Sequence, residues 1–473
     1  MDEVEISPRP PEMFERLLGE ERAAEFLAAL AGARSRLEGH TVWHVNSTAA
    51  GGGVAEMLQS ILSYPRGADI DVRWLVAEGN EEFFEVTKRI HNLLHGSGGD
   101  GGSLGEEERR VYESALQPEI ESLLGRVRPG DVAVLHDPQT LGLAGALAEA
   151  GVRVIWACHV GADEPSEETR AAWSFLRPYV DHTEAQVFSR AQYRWEGLDE
   201  QRVAVIPPCI DAFAPKNQDL TSGQVRAILD AAGIIPTTAE EDPVFSRQDG
   251  TAERVTRRAK MFEEAPVPED APVVCQVSRW DPLKDHQGIM VAFAAHVPSD
   301  LDVHLILAGP APEAVSDDPE GEQTLRELIA AWEGLPDAAR AKVHLCCVPM
   351  ADLEENAAVI NALQRRSDVV VQKSLAEGFG LTVAEAMWKG RPTLGSRIGG
   401  IQDQIDEERS GLLVDPNDGE EFAASVAGLL RDPAHAAELG GAARKRVLEE
   451  YLPSTYLTRQ FALIGEVLDR DAA

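Results

Sequence analysis

The chain has 473 residues, of which 44% are hydrophobic and 26% are charged, so it is long enough to form two hydrophobic cores. Its 80 acidic and 44 basic residues give a formal net charge of −36, which argues against binding to nucleic acids or to anionic membrane surfaces. An anionic substrate would therefore need locally placed arginine or lysine side chains.

The cysteines and the N-terminus indicate an intracellular environment. The five cysteines show no Cys-x-x-Cys spacing, and most lie in or beside apolar strand-like runs (Cys158, Cys209, Cys275, Cys346 and Cys347). The chain starts with Met1-Asp-Glu-Val-Glu rather than a basic segment before an apolar one, and no apolar run approaches the roughly 18 residues of a membrane span. We expect a cytoplasmic protein with reduced, buried thiols.

In the first half, apolar and glycine-rich segments alternate as they do in a parallel α/β sheet. Residues 8–38 predict helices that brace the first strand, and the glycine-rich residues 96–105 predict a mobile loop. Strands are predicted at 41–45, 71–76, 132–135, 153–157 and 203–206, with helices at 54–62, 81–94 and up to about 150. Residues 1–211 are therefore predicted to form one Rossmann-like domain.

The second half resumes this alternation after a charged connector. Residues 212–270 are predicted to be helical, with helices around 222–232 and 252–264. Strands follow at 273–278, 303–307, 343–348, 369–371, 393–395 and 412–414, with helices at 288–296, 353–364, 422–430 and 434–449. The predicted class is α/β: two doubly wound parallel-sheet domains, 1–211 and 212–450, facing across a cleft, with 451–473 returning to the first.

The most informative segment is Ser374 to Gly390, which predicts a strand end, a glycine loop and a short helix. Gly378 and Gly380 would let a ligand approach the backbone, and the helix amino end would attract a phosphate. Glu377 would lie before the helix and Glu385 about one turn inside it, which suits a nucleotide sugar with hydroxyls at both ends.

Other interpretations of this segment remain open. Thr382 and Glu385 could form a Ser/Thr-x-x-Glu capping box, with Glu377 a solvated carboxylate. A glycosidase needs two carboxyls flanking one bond, for which this layout is poorly suited. A dinucleotide fingerprint would need a third small residue where Val383 stands.

Two further groups of polar residues follow predicted strands. Arg279 and Lys284 could neutralise a diphosphate, although Arg279 could instead pair locally with Asp281 while Lys284 is solvated. His136, Asp137 and His159 could meet sugar hydroxyls or have a structural role. His91 and His95 are interpreted as helix-face residues.

Two glycine turns also follow predicted strands. The turn at residues 51–53 could bind phosphate or only allow a tight bend, and Gly399-Gly400 could donate backbone N–H groups. No P-loop is present in the sequence.

Together these segments resemble retaining glycosyltransferases of the GT-B fold, family 4. The similarity is carried by Glu377-x7-Glu385, by Arg279 with Lys284, and by the two glycine turns. Within that group, the segments at 44–48, 51–56, 82–88, 136–139, 277–281 and 377–390 are similar to the trehalose glycosyltransferring synthases. The resemblance spans nearly the whole chain, except residues 220–268.

The resemblance implies transfer of glucose from ADP-glucose or UDP-glucose to free glucose, which would give α,α-trehalose with retention. It implies a catalytic set of Arg279, Lys284, Glu377 and His159 and an acceptor-binding set of Asn46, His136, Asp137 and His159. The implied donor-binding residues are Gly52, Gly53, Arg279, Lys284, Glu377, Gly378, Phe379, Gly380, Leu381, Thr382 and Glu385. In particular, Arg279 and Lys284 would hold the diphosphate and Glu385 the ribose, and the leaving phosphate would accept the acceptor's proton.

Two alternatives to this function remain open: a retaining trehalose phosphorylase, and a nucleotide-sugar sensor without catalytic activity. We expect no metal site and no tightly bound cofactor. The sequence leaves open stimulation by Mg²⁺, assembly as a homodimer and the base of the donor nucleotide.

Overall fold

The computed structural model describes residues 1–49, 52–238, 240–311 and 319–470. Its internal contacts divide the chain into two compact units. Unit 1 comprises residues 1–209 and 450–473, and unit 2 comprises residues 210–449. The C-terminal helix thus belongs to unit 1, where it packs against an N-terminal helix, Glu20–Arg36.

Unit 1 alternates strands and helices after a short helical N-terminal segment. Its strands are β1 (Asp2–Val4), β2 (Val42–Asn46), β3 (Val72–Val76), β4 (Val132–His136), β5 (Arg153–Cys158), β6 (Ala185–Phe188) and β7 (Val203–Val205). Its helices are α1 (Glu15–Leu18), α2 (Glu20–Arg36), α3 (Gly53–Ile61), α4 (Ser63–Gly67), α5 (Glu81–Leu94), α6 (Glu106–Leu124), α7 (Asp137–Leu141), α8 (Ala144–Glu149), α9 (Glu167–Val180) and, at the C-terminus, α19 (Pro453–Asp469).

The strands of unit 1 form a sheet in the order β1-β3-β2-β4-β5-β6-β7, parallel except for the edge strand β1. After the edge strand β1, the chain forms β2, adds β3 on one side and then crosses to add β4 on the other. In such doubly wound sheets, ligands bind beyond the carboxyl ends of the strands where the direction of winding reverses. That point in unit 1 lies between β2 and β4, which pair through Val42–Val45 and Val132–Leu135.

Unit 2 begins with helix α10 and three short strands before its parallel sheet. Its strands are β8 (Val244–Ser246), β9 (Ala252–Arg254), β10 (Lys260–Phe262), β11 (Val273–Val277), β12 (His304–Pro310), β13 (Val343–Val348), β14 (Val369–Gln372), β15 (Thr393–Ser396) and β16 (Leu412–Val414). Its helices are α10 (Ser222–Ala231), α11 (His286–His296), α12 (Pro319–Glu333), α13 (Asp337–Arg340), α14 (Leu353–Arg366), α15 (Leu381–Trp388), α16 (Ile401–Gln404), α17 (Gly419–Arg431) and α18 (Pro433–Glu450).

The main sheet of unit 2 has the order β10-β13-β12-β11-β14-β15-β16, and only its edge strand β10 is antiparallel. The winding reverses between β11 and β14. Alternate residues of β11 enter two different hydrophobic clusters, Val274 in one and Cys275 in the other. A sheet covered on both faces explains why its strands appear in the sequence as continuous apolar runs.

The predicted class, two parallel-sheet Rossmann-like domains, is confirmed. The helix predicted at 252–264 is wrong: this segment contains β9, which pairs with β8, and β10, which pairs with Cys346 and neighbouring residues of β13. The prediction also lacked helices α4, α6, α9, α12, α13 and α16 and strands β1, β6 and β8. All five cysteines are buried and reduced, as expected. Within the described ranges, no helix combines the length and apolar character that a membrane crossing requires.

Candidate active site

The carboxyl ends of β11 and β14, where the winding of unit 2 reverses, bring two predicted site residues together. Lys284 follows β11 and Glu377 follows β14, 93 residues later. The Lys284 Nζ donates to Glu377 Oε2 at 2.7 Å, and both side chains are largely buried. The interpretation of Lys284 as a solvated cation is therefore wrong. A cation and a carboxylate at this point can meet a phosphate and a hydroxyl of one ligand.

A buried glutamine fixes the position of the Lys284 loop. Gln276, inside β11, donates from Nε2 to the Lys284 carbonyl at 2.8 Å. Its Oε1 accepts the Lys373 backbone N–H at 3.0 Å, just after β14. One amide thus joins the loops that follow the two strands. Because it is fully buried, loss of either hydrogen bond would leave a polar group without a partner.

Arg279 lies on the same loop as Lys284 but is in a different environment. Its side chain is 62% exposed, and its Nη2 lies 3.4 Å from Asp281 Oδ2. This agrees with the predicted local pairing. A surface pair of this kind is worth about 1 kcal/mol or less, so an arriving anion could displace it.

The glycine loop before α15 depends on two glycines for different reasons. Gly380 has φ +80°, a left-handed conformation that side chains other than glycine rarely adopt. Gly400 packs so closely that a Cβ would lie 2.6 Å from Phe379 Cα, and its N–H donates to the Gly378 carbonyl at 2.9 Å. Gln404 also donates to the Phe379 carbonyl, at 2.5 Å. The loop from Gly378 to Gly380 is therefore held by backbone contacts.

Helix α15 starts at Leu381 without a side-chain cap, so the predicted capping box of Thr382 and Glu385 is wrong. The Thr382 hydroxyl donates to Gln372 Oε1 of β14 at 2.9 Å. Glu385 is almost completely buried, and its Oε1 lies 3.0 Å from Lys216 Nζ. A ribose hydroxyl that reaches Glu385 would share this carboxylate with Lys216.

Two more cations at this sheet edge were missed by sequence reasoning. Lys373 follows β14 directly, is buried, and pairs with Asp285, which caps α11. Lys216 precedes α10 and pairs with Glu385. Lys373 stands just before the Ser374 motif, so its position in the sequence was a usable signal. Lys216 lies 169 residues from Glu385, and nothing in the sequence indicates that pair.

In unit 1, the corresponding point of the sheet carries a chain of three histidines. His44 Nδ1 lies 3.0 Å from His136 Nε2, and His136 Nδ1 lies 3.1 Å from His159 Nε2. His159 Nδ1 lies 3.3 Å from Ser189 Oγ. The residues come from β2, β4 and the ends of β5 and β6. His44 was not among the predicted site residues, although it lies in the segment that carries the family resemblance.

These imidazoles are neutral at physiological pH. Burial lowers the pKa of His44 from 6.5 to about 3, and burial with the neighbouring histidines lowers the pKa of His136 well below its usual value. The pKa of His159 is also lowered by burial. A neutral imidazole has one donor and one acceptor, so the chain is satisfied when all three donate in the same direction. A proton added to His136 would place two donors against each other.

The other two residues predicted to bind the acceptor, Asp137 and Asn46, already make hydrogen bonds within unit 1. Asp137 has φ +61°, and its Oδ1 accepts the His159 backbone N–H at 2.8 Å, while burial raises the pKa of its carboxyl group. Asn46 is buried, accepting from Trp74 Nε1 at 2.8 Å and donating to the Thr48 carbonyl at 2.7 Å. Both amide ends of Asn46 therefore have structural partners.

Gly52 and Gly53 begin helix α3, with Gly52 at the cap in an extended conformation. Gly51 lies outside the described residues. His91 and His95 contact each other at the end of α5, with ring centroids 4.8 Å apart. Across the described part of the chain, no group of three or more His, Cys, Asp or Glu residues is placed to hold a metal ion.

Two Rossmann-like sheets, one with a lysine–glutamate pair and a glycine loop where its winding reverses, define a glycosyltransferase of the GT-B class. Residues 44–195 match the family described as trehalose synthase, N-terminal domain, and residues 257–446 match glycosyl transferases group 1. The chain is 33% identical over 437 residues to a trehalose synthase of Rubrobacter xylanophilus, covering 92% of each protein. It is 30% identical to a trehalose synthase of Pyrococcus horikoshii, covering 98% of each. The chain therefore belongs to the trehalose synthase family of glycosyltransferases.

More distant similarity extends to other proteins. The chain is 24% identical to a trehalose phosphorylase of Pleurotus pulmonarius, covering 86% of this chain and 54% of that protein. Among solved structures, the trehalose-6-phosphate protein of E. coli bound with UDP-2-fluoro glucose matches with a TM-score of 0.62 at 14% identity, over 90% of this chain and 99% of that one. Sucrose-phosphate synthase of Thermosynechococcus elongatus matches with a TM-score of 0.59 at 17% identity, over 92% of this chain and 100% of that one. At these identities the structures support the fold alone.

Proposed function

We propose that this protein is a retaining glucosyltransferase that makes α,α-trehalose from a nucleoside diphosphate glucose, ADP-glucose or UDP-glucose, and free glucose. The observation that carries the proposal is the pairing of Lys284 with Glu377 at the winding reversal of unit 2, beside the glycine loop that precedes α15. A diphosphate takes the place of Glu377 as the partner of Lys284, and Glu377 turns to a sugar hydroxyl.

The donor is held by charge and by backbone. Lys284 and Arg279 neutralise the diphosphate, the N–H groups at the start of α15 bind its oxygens, and Glu385 with Lys216 meets the ribose. The net charge of −36 makes such placed cations necessary, because the protein as a whole repels an anionic donor.

The transfer needs no protein nucleophile. The C1–O bond to the diphosphate breaks as C1 bonds to the anomeric hydroxyl oxygen of the acceptor glucose on the same face, and the leaving phosphate oxygen takes the acceptor proton. Lys284 and Arg279 stabilise the charge that develops on the leaving group. The neutral imidazole of His159 hydrogen-bonds a sugar hydroxyl. The predicted role of His136 in contacting the acceptor does not fit, because both of its ring nitrogens face other histidines; His136 positions His159 instead, and Asp137 fixes the His159 backbone.

Glu377 and Glu385 do not form a hydrolytic pair in this proposal. Glu377 contacts Lys284, whereas Glu385 is buried against Lys216. A glycosidase would require both carboxyls to flank one glycosidic bond. Their separate cationic partners suit binding of two parts of one ligand instead.

A panel of donors tests the proposal. The purified protein is incubated with glucose and either ADP-glucose, UDP-glucose or glucose 1-phosphate, and a non-reducing disaccharide is measured together with its anomeric configuration. We expect α,α-trehalose from at least one nucleotide sugar. Product from glucose 1-phosphate alone would establish the phosphorylase that the Pleurotus relative suggests, and nucleotide binding without turnover would establish a sensor.

A further inference from the structure

A cavity lies at the amino edge of the main sheet of unit 2. Its volume is about 380 Å³, and it is lined by Leu220, Ser222, Val225, Arg226, Glu269, Asp270, Arg365, Arg366 and Arg391. Glu269 and Asp270 precede β11, Arg366 precedes β14 and Arg391 precedes β15. Lys284 and Glu377 follow the carboxyl ends of the same strands, so this cavity and the donor site are at opposite edges of one sheet.

The cavity concentrates positive charge in a strongly acidic protein. Four of its nine lining residues are arginines, although the whole chain has 44 basic residues against 80 acidic ones. Two of the four have structural partners that explain them. Arg365 pairs with Asp219 at 3.1 Å, and Arg366 donates to the Glu269 and Ala271 carbonyls at 2.7 Å each.

The other two arginines lack such an explanation. Within the described ranges, neither Arg226 nor Arg391 has a carboxylate within ion-pair distance. The exposed Arg226 side chain makes no hydrogen bond there, and Arg391 donates only from Nη1 to the Ser367 carbonyl, at 3.3 Å. The Arg391 Nε is buried without an acceptor. Because Arg391 Nε is out of reach of solvent, an anion in the cavity would meet only the terminal Nη groups of Arg391 and the guanidinium of Arg226. Two guanidinium charges on one cavity wall, without a carboxylate partner among the described residues, favour an anion there.

The acidic residues on the cavity wall indicate what kind of anion fits. Glu269 and Asp270 line the same cavity as the arginines, and carboxylates accept hydrogen bonds from hydroxyl groups. The amino end of helix α10 does not contribute, because Thr221 there donates to the Glu241 carboxylate at 2.9 Å. A phosphate on the arginines with hydroxyls toward Glu269 and Asp270 matches this lining. The volume lies within the range of cavities that hold small ligands.

We propose that this cavity binds a sugar phosphate, at a site separate from the donor site. The phosphate contacts Arg226 and Arg391, and the sugar hydroxyls contact Glu269 and Asp270. Neither arginine belongs to the proposed catalytic set. The site therefore supplies a way for a phosphorylated sugar to stabilise unit 2 without competing with the nucleotide sugar.

Calorimetric titration at constant ionic strength tests the proposal, with glucose 6-phosphate and inorganic phosphate as probes. The proteins are the wild type, Arg226→Gln, Arg391→Gln, Lys284→Met and Arg326→Gln. Arg326 is a matched control, an exposed helical arginine outside the cavity. Because the Arg226 side chain makes no hydrogen bond or ion pair among the described residues, Arg226→Gln should keep the fold even if Arg391→Gln does not.

We expect glucose 6-phosphate to bind about ten times more weakly to Arg226→Gln, or weaker still, because a charged hydrogen bond is lost. Lys284→Met and Arg326→Gln should bind as the wild type does. Absence of binding to the wild type, or binding that is lost in Lys284→Met and kept in Arg226→Gln, would overturn the second site. Equal affinity for inorganic phosphate would refute the role of Glu269 and Asp270 in sugar recognition.

Discussion

Replacement of Gly400 by alanine should move the backbone of the donor loop, residues 378–380, without changing any of the loop's own side chains. Gly400 has φ −68°, which alanine adopts without strain. The added Cβ, however, would lie 2.6 Å from Phe379 Cα and 2.7 Å from the Gly378 carbonyl oxygen. Both are backbone atoms that cannot rotate away. The loop from Gly378 to Gly380 must therefore move, although no side chain proposed to touch the ligand has changed.

The size of the effect follows from the distances. Ordinary contacts of a Cβ begin near 3.4 Å, so the loop must shift by roughly 1 Å. A misplacement of about 1 Å at a reacting centre costs on the order of 100-fold in rate, or about 2.7 kcal/mol. Overpacking itself should lower the free energy of unfolding by about 1 to 3 kcal/mol. We expect kcat/KM for trehalose formation to fall about 100-fold in a protein that remains folded.

The assay compares Gly400→Ala with Gly428→Ala under the donor that the panel identifies. Gly428 lies inside α17, where an added Cβ meets nothing within 4 Å. This control should keep wild-type kcat/KM and gain up to about 1 kcal/mol in stability. If Gly400→Ala retains kcat/KM within threefold while its unfolding curve matches the wild type, the loop does not position the donor.

Three further predictions concern the glutamine that joins the two loops, a helix contact and the histidine chain. Gln276→Leu should lower kcat/KM by about 10- to 100-fold, because the Lys284 loop loses the hydrogen bond from Gln276 to the Lys284 carbonyl. The exposed Gln323→Ala should leave kcat/KM unchanged. Unchanged kinetics in Gln276→Leu would show that this hydrogen bond does not position Lys284. Gly440→Ala places a Cβ 2.2 Å from the Gly390 carbonyl oxygen, so it should lower the free energy of unfolding in urea by about 1 to 3 kcal/mol. The neighbouring variant Gly441→Ala, whose Cβ meets open space, should raise the free energy of unfolding. Equal effects of the two variants would contradict the close packing at Gly440. The pKa of His44 is lower in the folded protein than in the unfolded chain, so the unfolded chain takes up the proton first as the pH falls. The contribution of His44 to the free energy of unfolding is therefore fully present above pH 6.5 and is lost as the pH falls toward 3, with a loss of about 2 kcal/mol at pH 5. His44→Gln should therefore make the free energy of unfolding less dependent on pH, whereas the exposed control His435→Gln should leave the dependence as it is in the wild type. If the curves of free energy against pH are parallel for the wild type and His44→Gln, the pKa of His44 is not lowered by folding.

The sequence predicted most reliably the buried, largely apolar strands and the amphipathic helices, among them α5, for which the predicted and observed bounds are both 81–94. β13 and β16 were predicted with their observed bounds, because a sheet covered on both faces favours β-branched and apolar residues along its strands; His344 is the one polar residue in these two strands. Helix α6 was missed because it begins with Glu106-Glu107-Glu108 and is polar for most of its length. The wrong helix at 252–264 follows an Asp249-Gly250 pair, a hairpin signal, and Gly250 indeed has φ +86° between β8 and β9.

The sequence predicted the candidate site residues that lie within short motifs. It did not predict the contacts between residues that are distant in sequence and that only the fold brings together. The sequence located the loop at 377–380 and the cations at 279 and 284. The ion pair of Lys284 with Glu377, by contrast, depends on β11 and β14 being neighbours, which only the winding order decides. The same holds for the histidines, since His44 reaches His136 only because β2 pairs with β4. Lys216 carries no motif at all, whereas Lys373 stands just before the Ser374 motif without belonging to it.

Binding of a nucleoside diphosphate to Lys284 variants tests the central claim most directly. The affinities of ADP and UDP are measured by calorimetry for the wild type, for Lys284→Met, for Lys284→Met with Glu377→Gln, and for the exposed Lys445→Met. The double variant removes both charges of the pair, so a loss of affinity there does not arise from an unpaired Glu377. We predict that both Lys284 variants bind the diphosphate roughly 10- to 100-fold more weakly while Lys445→Met is unchanged. Wild-type affinity in both Lys284 variants would contradict a donor site at this edge of the sheet.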